Sequence, residues 1–191
     1  TRGPVLDVGQ QVNGVAVSPN GSLLAAAQSN GEVALFSLPA GTDKRVLSAD
    51  GSPVTAVAFA PSGSRLAAVT DSGGLFVWDL ATGQRAHVSV GTNGFLLSVG
   101  FDPRLPLIAV GGGFTLPNGQ NGFVSEYTSS LQSFSRFSEP GTQFAHVTFN
   151  PGGSVLAAAD DDGHVILLDP SDGKQTKQFH LGSAAEVVAF G

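Results

Sequence analysis

"PSGSRLAAVTDSGGLFVWDLATGQ", residues 61–84, holds three turn signals separated by two short apolar runs: Pro61-Ser62-Gly63, Asp71-Ser72-Gly73 and Thr82-Gly83. Asp, Ser and Gly favour such turns because they tolerate left-handed backbone angles and cap nearby N–H groups. The runs between them are rich in Leu, Ala, Val and Phe, and none reaches ten residues of helical periodicity, so they read as strands. Extending the pattern on both sides gives four strands in about 42 residues, at 55–60, 65–70, 75–80 and 85–90.

The pattern recurs. "VAVSPNGSLLAAA", "VAFAPSGSRLAAV", "VGFDPRLPLIAVG" and "VTFNPGGSVLAAA" align on Pro19, Pro61, Pro103 and Pro151, spaced by 42, 42 and 48 residues. A second turn follows each proline, with glycines at Gly31, Gly73, Gly122 and Gly163, offset from it by 12, 12, 19 and 12 residues. Five residues beyond those glycines stand Phe36, Trp78, Tyr127 and Leu168, one large apolar side chain at a fixed register. Runs such as "LAAAQ" and "VALF" are apolar at consecutive positions, so both faces of each sheet are expected to be covered. A four-stranded repeat of roughly 40–45 residues is the mark of a propeller blade.

The stretch 61–84, with Trp78-Asp79, resembles the second half of a WD40-family repeat almost residue for residue, and bacterial YVTN-type and TolB-type propellers have similar blades. In the other units the dipeptide becomes Phe36-Ser37, Tyr127-Thr128 and Leu168-Asp169. Glycines stand ten residues before the prolines at Gly9, Gly51 and Gly141, but no His follows them as it often does in the family. Apolar packing is therefore expected to replace the family's His–Ser–Asp–Trp hydrogen-bond network. The resemblance implies an all-β propeller with blades at about 9–49, 51–90, 91–139 and 141–181, partial blades at 1–8 and 182–191, and structural positions Phe36, Trp78, Tyr127, Leu168, Asp79 and Asp169. It also implies a non-catalytic scaffold for protein–protein recognition.

The ends align with the repeat. "GPVLD" (3–7) falls where the fourth strand of a preceding blade belongs, and "EVVAFG" (186–191) matches the first strand of a following one. Three readings stay open: a segment of a larger propeller, pairing with a second chain that completes the ring, or a closed ring of about five blades. The expected partners are accordingly other proteins, the rest of its own propeller or a second chain.

Composition narrows the chemistry. A formal net charge of -6 with a pI near 4.9 repels phosphate backbones, so nucleic acid is not an expected partner. No apolar run of about 18 residues exists to insert into a membrane, and the chain reads as soluble and cytoplasmic. Without cysteine there are no disulfides or thiolates. Asp160-Asp161-Asp162-Gly163-His164 falls on the turn held elsewhere by Ser29-Asn30-Gly31 and Asp71-Ser72-Gly73, and lacks the alternate acidic spacing of a calcium loop. His87, His146, His164 and His180 lie in four segments without metal-ligand spacing. Gly111-Gly112-Gly113-Phe114 has no Gly-Lys-Ser/Thr after it and is expected to be a mobile strand end. No catalytic residue, metal or cofactor is expected.

The third unit carries seven extra residues within "GGGFTLPNGQNG" (111–122). In propellers that connection shares a face with the links between blades, and a one-sided insertion marks a binding face. Phe114 and Leu116 are the candidate anchors, with Asn118, Gln120 and Asn121 as polar contacts and Phe95 on the same face. A propeller hydrolase or lactonase with a channel-mouth metal is the enzymatic alternative, for which the inner strands offer only Asp102, Asn150 and His146. A purely structural arc of a large assembly is the third.

Overall fold

The computed structural model describes residues 5–191. Within them there is no helix, and sixteen strands form four antiparallel sheets of four strands, each in sequence order. The first blade comprises β1 (Val12–Val17), β2 (Leu23–Gln28), β3 (Glu32–Ser37) and β4 (Thr42–Ser48). The second comprises β5 (Val54–Phe59), β6 (Arg65–Thr70), β7 (Gly74–Asp79) and β8 (Arg85–Ser89). β9 (Gly94–Phe101), β10 (Leu107–Leu116), β11 (Gly119–Thr128) and β12 (Ser133–Pro140) make the third. β13 (Phe144–Phe149), β14 (Leu156–Asp160), β15 (His164–Leu168) and β16 (Gln175–His180) make the fourth.

Burial follows position within a blade. The second and third strands are mostly buried, β15 less so than the others, whereas the outermost strand alternates or faces solvent throughout, as β16 does. Three apolar cores lie between consecutive sheets. In each, a large side chain from the third strand of one blade shares a core with the preceding sheet: Trp78 with Ala25 and Leu35, Tyr127 with Ala67 and Val77, Leu168 with Ala109 and Val124. Phe36, Trp78, Tyr127 and Leu168 pair with Leu24, Leu66, Ile108 and Leu156, the same register in every blade. All four wedges are buried, and burying a side chain of this size stabilises by about 1.5–3 kcal/mol.

Polar bonds cross the same seams. Asn13 Nδ2 donates to Val54 O at 2.9 Å, and at the matching position Thr55 Oγ1 donates to Leu96 O at 2.7 Å. Asp79 and Asp169 cap the turn after the third strand: Asp79 Oδ1 accepts from Thr82 N at 2.8 Å, and Asp169 Oδ1 from Ser171 N at 2.8 Å. The Ser171 hydroxyl and N–H hold the Asp169 carboxylate below its ordinary pKa, and the Thr82 N–H and hydroxyl do the same for Asp79.

The flanking segments differ from simple strands. Gly3 and Pro4 of the expected outer strand lie outside the described residues, and Val5–Asp7 enter no ladder. Residues 182–191 also form no ladder, yet they follow the track of an inner strand beside β13, with Val188 N bonded to His146 Nδ1 at 3.4 Å. A strand is defined by its partner, and this segment pairs with none. On the other flank, Val15 and Val17 of β1 are 63% and 54% exposed, while Val57 and Val99, the counterparts of Val15, are buried.

Candidate partner-binding face

One face carries the hairpin turns between second and third strands together with the links between blades. Backbone bonds fasten each link to the turn beside it: Ala49 N to Gly31 O at 3.0 Å, Val90 N to Gly73 O at 3.0 Å, and Leu181 N to Gly163 O at 2.8 Å. Gly73 shows why glycine stands in these turns. Its φ is 80°, and a Cβ there would meet Gly94 O at 2.7 Å.

In the third blade the inserted residues prolong the hairpin instead of forming a loop. The β10–β11 ladder continues through Phe114↔Asn121 and Thr115↔Gln120 to Leu116↔Gly119, beyond the last β9 pairing at Phe114↔Gly94. Gly111, Gly112 and Gly113 are therefore not a mobile strand end; all three are buried within β10. A Cβ at Gly112 would approach Phe95 O to 2.1 Å, so the backbones of β9 and β10 meet there only because the position is bare.

The six candidate contact residues separate into three groups. Phe114 folds inward, its ring 5.0 Å from that of Phe123, and the Arg136 guanidinium covers both rings at 5.0 and 4.3 Å. It buttresses the hairpin. Leu116 is 46% exposed at the tip, with Asn118 and Gln120 exposed beside it and Asn121 half-buried where β11 joins the blade. Phe95 belongs to β9, not to the preceding link, and lines a cleft of about 670 Å³ between the second and third blades. Asp71, Ser72, Gly91, Asn93 and Thr115 form its other walls.

The acidic run proves to be turn chemistry. Asp160 Oδ1 accepts from His164 N at 2.7 Å and Asp162 N at 3.1 Å, while Asp161 Oδ1 accepts from Thr142 Oγ1 at 2.6 Å and Gln143 N at 3.0 Å. Among the described residues no group of three or more His, Cys, Asp or Glu side chains is placed to hold a metal. Two of the scattered histidines nevertheless meet: His164 and His180 pair across β15 and β16 with rings 4.8 Å apart, and His164 Nδ1 lies 3.1 Å from Asp160 Oδ2. Only the register of the β15–β16 hairpin brings them together. Of the channel-mouth candidates, Asp102 Oδ1 accepts from Arg104 N at 2.6 Å and Asn150 Oδ1 accepts from Ser154 N at 2.8 Å, both inside turns. His146 is kept below the ordinary histidine pKa by burial.

One buried carboxylate has no signal in the sequence. Glu126, on β11, is 1% exposed; Ser135 Oγ donates to its Oε2 at 2.5 Å, and its Oε1 has no partner. Burial, reinforced by the neighbouring Asp102, Asp169 and Asp172, pushes its pKa up to about 7.

Four-stranded antiparallel sheets stacked in sequence, with inner strands β1, β5, β9 and β13 side by side, define an arc of a β-propeller. The WD40 family model (WD domain, G-beta repeat) matches residues 5–37 and 41–79, so the stretch up to the end of β7 is similar to WD40 repeats. The second match runs from β4 through β7, so one sequence repeat supplies the outer strand of one blade and three strands of the next. No curated protein matches the chain. WD40 repeats are generally protein-interaction scaffolds and typically non-catalytic.

Proposed function

We propose that this chain is a non-catalytic scaffold that presents its loop-bearing face to a protein partner. The observation that carries the reading is the β10–β11 hairpin, which projects past its flanking strands with Leu116 exposed at the tip and a cleft at its foot. An apolar side chain held out on a rigid ladder orders little on binding, so its contact area is not offset by lost chain entropy. In this arrangement Leu116 is the anchor, Asn118, Gln120 and Asn121 add hydrogen bonds, Phe95 contributes from the cleft, and Phe114 holds the hairpin upright.

The test is affinity capture followed by in-trap crosslinking, comparing wild type with Leu116→Ala and with Asn118→Ala/Gln120→Ala. Both variants are expected to keep the wild-type circular-dichroism spectrum and to lose the crosslinked partner. Retention of the same crosslinks by both variants would remove this face from the reading.

A further inference from the structure

The first position of the turn between second and third strands is Ser29 in the first blade, Asp71 in the second and Asp161 in the fourth. The two aspartates share a backbone setting: Asp71 N donates to Pro53 O at 3.1 Å, and Asp161 N to Gln143 O at 3.3 Å. Their side chains do not share a fate. Asp161 is held by the Gln143 N–H and the Thr142 hydroxyl. In the second blade the place of Gln143 is taken by Pro53, which has no N–H to give. No hydrogen bond reaches the Asp71 carboxylate among the described residues, and it lines the cleft.

The surroundings sharpen that vacancy of donors. Asp50 stands nearby with its Oδ2 taken by Ser72 Oγ at 2.7 Å. Partial burial and the Asp50 charge together raise the Asp71 pKa above its ordinary value. No Lys, Arg or His lines the cleft; its polar lining is hydroxyls, backbone and the Asn93 amide, and Phe95 and Thr115 stand on the third-blade side. Its volume of about 670 Å³ lies within the range of about 300–1,000 Å³ typical of ligand pockets.

We infer that this cleft receives an arginine side chain of the partner, with Asp71 as its carboxylate and Phe95 as its aromatic neighbour. The inference rests on the scaffold reading above. A guanidinium brings five donors to a site rich in acceptors and tolerates contact with an aromatic ring, which a compact, strongly hydrated ammonium does less well. A cation here also relieves the repulsion between Asp71 and Asp50.

The cleft can be tested without the partner. Titrating the ¹⁵N-labelled chain with acetyl-Gly-Arg-Gly-amide is expected to give saturable shifts confined to residues 71–72, 89–95 and 115. The lysine tripeptide is expected to bind several-fold more weakly, and the citrulline tripeptide, isosteric but uncharged, to give no saturation. Asp71→Asn should weaken the arginine tripeptide by at least ~10-fold, the size of a lost hydrogen bond to a charged group, while Leu116→Ala leaves it unchanged. Equal binding of citrulline, or an unaffected Asp71→Asn variant, overturns the inference. The two readings fail separately: a partner lost by the tip variants but kept by Asp71→Asn sinks only the arginine subsite.

Discussion

The second and third blades share strand order, register and wedge position, yet one closes its central hairpin in a tight turn and the other drives it outward by two pairs past the last β9 pairing. Three matched positions differ. Thr70 corresponds to Gly112, Val77 to Glu126, and Trp78 to Tyr127, and the first of these exchanges bears on the hairpin. Thr70 uses its hydroxyl to accept from Gly74 N at 3.0 Å and so pins the tight turn, whereas Gly112 lets the Phe95 carbonyl in and the ladder continues. A blade's frame tolerates these exchanges because the wedge and the inner strand set the sheet, while the hairpin end is free to vary. The comparison teaches that the projecting hairpin is the extension of a ladder every blade has.

The largest expected effect comes from forcing the third blade toward the second at its bare position. Gly112→Val should cost more than about 4 kcal/mol or abolish the cooperative urea transition, because the side chain collides with the β9 backbone. Thr70→Val, the reverse comparison, should cost about 1–2 kcal/mol through the lost turn cap. Between these two in size is the loss of the wedge. Trp78→Ala should destabilise by about 3–5 kcal/mol in equilibrium unfolding, and Tyr127→Leu, the residue the fourth blade uses at that register, by less than about 1.5 kcal/mol. A Tyr127→Leu loss as large as that of Trp78→Ala would break the equivalence of the two blades.

Glu126 gives a smaller, pH-dependent effect. Its folded pKa of about 7 lies above the ordinary value of 4.5, so the native state binds the proton more tightly than the unfolded chain. Its contribution is unchanged below about pH 4.5 and is lost progressively as pH rises through about 7. Glu126→Val, which copies the second blade, should remove this downward slope and gain roughly 2 kcal/mol relative to wild type at about pH 8, with little gain at about pH 5. The difference between wild type and variant in urea midpoint against pH isolates Glu126 from His146, whose burial acts in the opposite sense. The smallest effect belongs to the hairpin tip: Leu116→Ala should shift stability by no more than about 0.5 kcal/mol, since the residue touches little of the blade.

Much of this architecture is legible in the chain itself. The prolines, turn glycines and wedge residues repeat because each blade needs the same turn, the same close approach and the same plug; the strands expected at 65–70 and 85–90 lie within a residue of β6 and β8. The acidic run reads as a turn because its siblings are turns. What the sequence hides has physical reasons too. Three successive glycines carry no strand propensity, and their place in β10 is dictated by a carbonyl on another strand. Phe114 looks like an exposed anchor until Phe123 is brought beside it and Arg136 over it. Glu126 occupies a register where its sibling is Val77, and nothing local announces that a carboxyl will be buried there. His164 and His180 are sixteen positions apart and become neighbours only when a hairpin closes.

The seams between consecutive sheets have a mechanical consequence. The main contacts between sheets join each blade to the next in sequence, so cohesion is distributed like that of a stack of plates rather than a single core. The second and third sheets are gripped on both sides, while β1 leaves valines bare on one flank. The projecting hairpin is rooted in one of these two doubly clamped plates, so its base is braced by a sheet on either side.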